Sequence, residues 1–267
     1  LEALTRRCNV NRDTIRQVVN VLATVATIVV NGLANGLPLN GQATGEISDR
    51  FVVYFTPAGY VFSIWGVIYL ALLAFTVYQA LPGQRANPLL RRVGYLYLLA
   101  SVANIAWIFL WHYEVFGMTL VAMIVLLLSL IAIYLRLDIG RAEVSRAVRW
   151  LVHLPFSIYL GWITVATIAN VTALLYLVNW SGWGISPEAW TVIILAVAVI
   201  VAGAVSATRA DVAYVLVLAW AFAGIAAKHA GTSMVSIGAW AATGLVMVMA
   251  ILSALPRGPL PLARART

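Results

Sequence analysis

Long apolar runs limit what this chain can fold into more than any other feature. Eight stretches of roughly 20 residues, the length that crosses ~30 Å of hydrocarbon as a helix, alternate with polar segments. They lack the ten-residue alternation of a membrane barrel, and only 10% of the residues are charged, against roughly a quarter in soluble proteins. The sequence therefore predicts an all-α integral membrane protein with eight transmembrane helices, at residues 18–37, 58–80, 93–111, 116–135, 150–178, 189–206, 212–227 and 235–255.

Lysine and arginine are distributed unevenly between the segments that connect these spans. Of the 17 basic residues, 15 lie in the N-terminal segment 1–16, in the second, fourth and sixth loops and in the proline-rich tail 256–267. The other side has only Arg50 and Lys228. Because basic loops stay in the cytoplasm, the distribution predicts that both termini are cytoplasmic. It also explains the net charge of +8 by contact with anionic lipid headgroups, so no nucleic-acid partner is expected.

Three of the predicted spans carry aromatic residues at helical spacing, and residues at these intervals share one helix face. The sets are Phe62, Trp65 and Tyr69 in the second span, Asn104, Trp107 and Trp111 in the third, and Tyr159, Trp162, Ala166 and Asn170 in the fifth. Two interpretations remain open. The faces are either ordinary packing, with the asparagines bonded to neighbouring helices, or the wall of a cavity for a flat, largely apolar ligand with a few polar edges.

Residues that could support catalysis are few and scattered. The single cysteine, Cys8, excludes an internal disulfide and argues against a cysteine metal site. His112, His153 and His229 lie near span ends with no second histidine one turn away, which favours interfacial or packing roles. No zinc-protease, phosphate-loop or nucleophile motif occurs. We therefore expect no catalytic residue, no metal site and no required cofactor.

The motifs in the three aromatic spans resemble those of the TspO/MBR family, the tryptophan-rich sensory proteins and translocator proteins. Residues 57–69, PAGYVFSIWGVIY, are similar to the family's Pro-Pro-x-Trp-Val-Phe-x-x-Val-Trp-x-x-Leu-Tyr. Residues 103–107 and 159–170 are similar to its Leu-Asn-x-x-Trp and Tyr-Leu-x-Trp-x-x-Phe-Ala-Thr-x-Leu-Asn. The resemblance covers about residues 14–180. It implies a five-helix unit at 17–180, followed by a three-helix C-terminal extension at 181–255 of the kind that long members carry.

The resemblance also implies a ligand pocket in the bundle, roofed by the loop between the first two spans. Family ligands are porphyrins and, in animals, cholesterol; a sterol is disfavoured here because Tyr176 has no Lys or Arg in the next five residues. The implied function is to bind a porphyrin or related tetrapyrrole in the bacterial inner membrane for sensing, transport or disposal. Light-dependent porphyrin degradation is the enzymatic alternative. Carried over by motif, the ligand-binding residues are Tyr60, Phe62, Trp65, Tyr69, Asn104, Trp107, Tyr159, Trp162 and Ala166.

The last three spans leave a second function open. They are richer in Ala and Val and poorer in polar groups than the first five, so they offer faces for partner helices or pigments. The alternative hypothesis is therefore an accessory structural subunit of a larger photosynthetic or respiratory membrane complex, in contact with pigment or lipid. A homodimer is also compatible with the sequence.

Overall fold

The computed structural model describes residues 2–37 and 39–255, without the side chains of residues 2–11. Within these ranges every regular element is helical, and the predicted tail 256–267 lies outside them. Short 3₁₀ turns occupy Leu39–Gly41, Gly59–Ser63, Pro82–Gln84 and Gly182–Gly184, and a π turn occupies Arg149–His153. The helices are α1 (Glu2–Gly36), α2 (Thr44–Asp49), α3 (Ile64–Ala80), α4 (Pro88–Val93), α5 (Leu96–His112), α6 (Phe116–Arg136), α7 (Arg146–Val148), α8 (Leu154–Leu177), α9 (Pro187–Arg209), α10 (Val212–Lys228) and α11 (Ser233–Ala254).

Six helical segments are long and apolar enough to cross a membrane. They are Arg12–Gly36, Gly59–Ala80, Phe116–Arg136, Arg146–Leu177, Pro187–Arg209 and Ser233–Ala254. Large apolar side chains on them are exposed, such as Leu70 and Ile200 at 70% each, as expected where lipid rather than water surrounds the protein. The protein is therefore an all-helical integral membrane protein. Helices α5 and α10 are apolar but shorter, at 17 residues each, so the count of eight spans stays a prediction.

Several helices begin at residues whose side chains cap the free backbone amides of the first turn. Asn87 accepts from Leu89 N at 2.9 Å before α4. Ser186 accepts from Ala189 N at 3.2 Å before α9, where Pro187 follows at the position that needs no N–H. These local signals explain why the breaks between the apolar runs lie close to the predicted ones.

The fifth predicted span is distorted near its start. The sequence predicts tilting, protrusion or distortion near Pro155 for this long segment. Because proline cannot donate to the carbonyl four residues earlier, regular helical hydrogen bonding fails at this point. The helix widens immediately before Pro155 into the π turn Arg149–His153, in which Leu154 N donates to Arg149 O.

Helix α10 connects the neighbouring C-terminal helices α9 and α11 to the rest of the bundle. It packs against α8, α11 and the turn Gly59–Ser63. A Cβ atom on Gly224 would overlap Cγ2 of Val61, and one on Gly161 of α8 would lie 3.1 Å from the α10 backbone. The Trp220 indole donates to Val61 O at 3.1 Å. The absence of a side chain at both glycines therefore lets α10 sit directly on the helices of the predicted five-helix unit.

Loops that the charge distribution assigns to one side of the membrane contact each other. Arg16 Nη2 donates to Arg85 O at 2.8 Å, and Arg209 Nη1 donates to Ile139 O at 2.9 Å. We call this end, which contains the connections at residues 81–95, 137–148 and 210–211, the basic end. At the opposite end Arg50 pairs with Glu114 at 2.9 Å.

Candidate ligand-binding cavity

Aromatic side chains from α3, α5 and α8 converge inside the bundle, toward the end opposite the basic end. The rings of Phe62 and Trp65 meet Trp162 edge to face, with centroids 5.7 and 6.2 Å away. On α5, Trp107 stacks on Trp111 at 5.3 Å. Both arrangements are favourable geometries for aromatic rings. The three aromatic faces therefore meet around one interior space.

This space is a cavity with two lobes. The larger has a volume of about 640 Å³ and the smaller about 480 Å³, each including its mouth. Within the described residues no charged side chain lines either lobe. The larger lobe is lined by Thr44, Ser48, Phe51, Thr56, Pro57, Phe62, Trp65, Trp107, Trp111, Met123, Trp162, Val165, Ala166, Ala169, Asn170 and Ala173. The smaller lobe shares Thr44, Phe62, Trp65 and Trp107 with it and adds Asn31, Asn35, Gly45, Tyr69 and Ile108.

A lid formed by residues 39–51, including α2, covers the cavity. Buried His112 fixes it to α5: Nε2 lies 3.0 Å from Thr44 Oγ1, and Nδ1 lies 3.0 Å from Leu39 O. The Trp111 indole donates to Thr44 O at 3.2 Å. Ile47 is fully buried against Trp111. Both hydrogen bonds and apolar contacts therefore hold the lid over the cavity.

Two cavity tryptophans have free hydrogen-bond donors. The Nε1 atoms of Trp107 and Trp162 are buried, and neither has a partner within the described ranges. By contrast, the indoles of Trp111, Trp190 and Trp220 donate to backbone oxygens at 3.2, 2.8 and 3.1 Å. A buried donor without a partner costs about 1–3 kcal/mol, and such groups are rare. An acceptor that reached either N–H group would remove this cost.

Six of the nine residues predicted to bind a ligand line the cavity. Tyr60 and Tyr159 lie outside its lining: Tyr60 is 54% exposed with its ring 5.5 Å from that of Trp220, and buried Tyr159 lies behind Trp65 at 6.1 Å. Asn104 is the third predicted residue that lies outside the lining. The six at the cavity are Phe62, Trp65, Trp107, Trp162 and Ala166 in the larger lobe and Tyr69 in the smaller.

The predicted asparagines bond to neighbouring helices. Asn31 Nδ2 on α1 donates to Asn104 Oδ1 at 2.7 Å, and Asn104 is 1% exposed. The side chains of Asn170 and Thr119 on α6 lie 3.1 Å apart. These contacts favour the packing interpretation for Asn104. Asn170 bonds to α6 and also lines the larger lobe.

Sequence reasoning did not assign the cavity residues of α1 and the lid. Asn31 and Asn35 line the smaller lobe. Two carboxamides at i and i+4 in an apolar span share one face and tend to face protein rather than lipid, so this signal was present in the sequence. Thr44 and Phe51 carry no comparable signal, because the path of a loop over a bundle depends on tertiary contacts.

The described residues contain no group of three or more His, Cys, Asp or Glu side chains that could hold a metal ion. The three histidines are separated from one another. His112 holds the lid, His229 packs against Tyr54 with ring centroids 5.2 Å apart, and His153 lines a different cavity. The aromatic cavity therefore offers ring faces, two indole donors and a few hydroxyl and amide groups.

Comparison with known proteins identifies one family. The sequence model of the family described as TSPO-like protein matches residues 17–252. The match covers nearly the whole described chain and includes α9, α10 and almost all of α11. No curated protein and no solved structure matches the chain.

Proposed function

Because the chain belongs to the TSPO-like protein family, we propose that it binds a porphyrin or related tetrapyrrole in the cavity between α3, α5 and α8. Binding serves the sensing, transport or disposal of that molecule. The ligand in this proposal is cargo or signal, and the protein needs no cofactor to bind it.

The observation that carries this proposal is the pair of unpaired indole N–H groups on Trp107 and Trp162. Both tryptophans line a cavity whose other walls are mainly apolar and aromatic. A porphyrin presents flat apolar faces, which pack against aromatic rings, and carboxylate oxygens at its edge, which accept hydrogen bonds. The same molecule can therefore cover the rings and satisfy the donors.

The aromatic lining of the larger lobe also favours a flat ligand. The rings of Phe62 and Trp65 meet Trp162 edge to face, so this lobe offers aromatic surfaces against which a flat apolar molecule packs. Among the described residues the lining contains no charged side chain, so the ligand's carboxylates depend on hydrogen-bond donors such as the two indole N–H groups. Entry of a whole macrocycle requires the lid to move.

Spectral titration of the purified full chain with protoporphyrin IX tests this proposal. We expect saturable binding. Trp107→Phe and Trp162→Phe should each weaken it by about tenfold, because phenylalanine keeps an aromatic face but lacks the N–H. Trp190→Phe is the matched control, since that indole donates to Gly182 O outside the cavity, and it should change affinity by less than about twofold. Non-saturable binding, or equal effects of all three variants, would contradict the proposal.

We also propose that α5 and α10 cross the membrane with the other six helices, with both termini in the bacterial cytoplasm. Seventeen residues span ~26 Å as a helix, near the lower limit for a crossing. The concentration of arginine at the basic end favours this orientation. With Cys8 replaced by serine, an impermeant maleimide should label Arg50→Cys in intact cells and Arg141→Cys only after lysis. The reverse pattern would refute this topology.

A further inference from the structure

A second cavity lies at the basic end, away from the aromatic cavity. Its volume is about 840 Å³ including its mouth. It opens between the start of α8 and the connection from α9 to α10. The polar and charged side chains of its lining include Arg149, His153, Ser157, Arg209 and Asp211.

Arg209 lines this cavity with a guanidinium group whose position is fixed by contacts through Nη1. Its other N–H donors remain available. Its side chain is only 11% exposed. Nη1 donates to Ile139 O at 2.9 Å and lies 3.4 Å from Asp138 Oδ1, while Cζ lies 5.2 Å from the centre of the Tyr134 ring. Nε and Nη2 have no partner within the described ranges. Because the Asp138 side chain is 47% exposed, water screens its charge, and Arg209 keeps its capacity to bind an anion.

The start of α8 supplies the opposite wall. Arg149, His153 and Ser157 follow one another at intervals of four residues and all line the cavity, as expected for one helix face. The first two belong to the π turn, a distortion frequent at functional sites. The Arg149 guanidinium is exposed and has no partner within the described residues. His153 is 6% exposed, and its buried Nε2 also has no partner there.

The carboxylate in the lining, Asp211, is already engaged by other groups. Oδ2 accepts from Tyr134 OH at 2.8 Å and from Ser157 Oγ at 2.6 Å, and Oδ1 accepts from Tyr214 N at 3.2 Å. Asp211 therefore forms no ion pair with the two arginines of the lining. Two guanidinium groups and one carboxylate line the cavity itself. Asp138, which pairs with Arg209 at 3.4 Å, lies outside the lining and is 47% exposed, so the surface that a ligand would touch is net positive, which favours an anion.

The rim of the cavity is rigid on the Arg209 side. Gly140 has a φ of +82°, and a Cβ atom there would overlap the backbone oxygen of Arg209. The loop after α6 and the end of α9 are therefore in direct backbone contact. This contact and the hydrogen bond from Arg209 Nη1 to Ile139 O hold the Arg209 guanidinium against the loop after α6 before any ligand binds, which lowers the entropic cost of binding.

From these contacts we propose that the basic-end cavity binds a phosphate group. Two phosphate oxygens match the planar fork of Arg209, Arg149 neutralises further charge from the other rim, and the group supplies an acceptor beside His153. The phosphate belongs either to an anionic phospholipid headgroup or to a soluble phosphate compound. Trp150, next to Arg149, is 57% exposed, as expected at a membrane surface, so both sources can reach the mouth.

Two binding measurements on the full chain separate these sources. In the first, inorganic phosphate is titrated against protein in phosphatidylcholine nanodiscs, with chloride at equal ionic strength as the reference, and the unfolding midpoint is followed. In the second, native mass spectrometry counts the phosphatidylglycerol molecules retained by detergent-solubilised protein. Arg149→Gln is the principal variant, because the lack of a partner for its guanidinium makes the change tolerable for folding. Arg146→Gln is the matched control, since it removes the same charge from an exposed residue outside the lining.

We expect Arg149→Gln to weaken binding at least tenfold in one of the two measurements, which corresponds to ~1.4 kcal/mol, and Arg146→Gln to change it by less than about twofold. Arg209→Lys should also weaken it about tenfold, because lysine keeps the charge but lacks the fork. Saturation by inorganic phosphate would identify a soluble source, and retention of phosphatidylglycerol alone would identify the lipid. Absence of binding in both measurements, or equal weakening by Arg149→Gln and Arg146→Gln, would overturn the proposal.

Discussion

Replacing Asn31 with leucine should destabilise the protein more than replacing Asn31 and Asn104 together. The two side chains are 3% and 1% exposed and are joined by a hydrogen bond of 2.7 Å. Asn31→Leu leaves the Asn104 carboxamide without its donor, and an unsatisfied buried polar group costs about 1–3 kcal/mol. In the double variant both polar groups are gone, and leucine keeps the four-heavy-atom side chain, branched at Cγ, of asparagine. The coupling between the two positions should be ~0.6–1.7 kcal/mol, the range measured for hydrogen bonds between membrane helices.

A double-mutant cycle measures this coupling directly. The free energy of unfolding of the four proteins is obtained from reversible denaturation in mixed micelles. Asn104→Leu serves a second purpose, because Asn104 lies outside the lining of both lobes. It should lower stability while changing protoporphyrin affinity by less than about twofold. Full stability together with tenfold weaker protoporphyrin binding would refute this reasoning and make Asn104 a ligand contact. Additive effects of the two single changes would refute the hydrogen bond.

Three other predictions concern the helix contacts, the lid and pH. Gly224→Ala should cost about 1–3 kcal/mol of stability by overpacking, and adding Val61→Ala should recover most of it in thermal melts, because the overlap is with Cγ2 of Val61. His112→Phe should speed tryptic cleavage at Arg50 about tenfold, because the lid loses two hydrogen bonds. Burial lowers the pKa of His229 from its usual range. Stability should therefore fall as the pH drops through about 6.5, where the unfolded chain takes up a proton that the folded chain resists, and His229→Asn should flatten that dependence.

Each of these three predictions would be contradicted by one specific result. Failure of Val61→Ala to rescue Gly224→Ala would mean that α10 does not rest on that turn. Equal cleavage at Arg50 with and without the His112 side chain would show that other contacts hold the lid. An unchanged pH profile in His229→Asn would assign the acid sensitivity to another group.

The positions of the helices followed from the sequence. A chain in hydrocarbon must pair its backbone groups within each segment, so the length and hydropathy of a run largely determine where a helix lies. The family resemblance read from residues 57–69, 103–107 and 159–170 is confirmed by the family match to residues 17–252. That match extends past residue 170, where the last motif ends. The C-terminal helices consist mainly of common apolar residues, so they contain no comparably distinctive motif.

The sequence predicted only some of the residues that line the cavity. Helical spacing places Phe62, Trp65 and Tyr69 on one face, and all three reach a lobe. It does not show that Gly59–Ser63 is a 3₁₀ turn, in which side chains follow a period of three rather than 3.6. Tyr60 consequently points to Trp220 on α10. Its environment depends on a helix more than 150 positions away in the chain.

The amino-acid sequence by itself determined the membrane environment, the helices and the three aromatic faces, because these depend on short-range periodicity and on the solvent that surrounds the chain. The tertiary structure decided which residues of those faces line the cavity, which asparagine is bonded to a neighbouring helix instead, and how His112 holds the lid. It also brought Arg149 and Arg209 to one cavity. Such juxtapositions depend on the angles and depths at which helices cross, and these are set by the fit of many side chains at once.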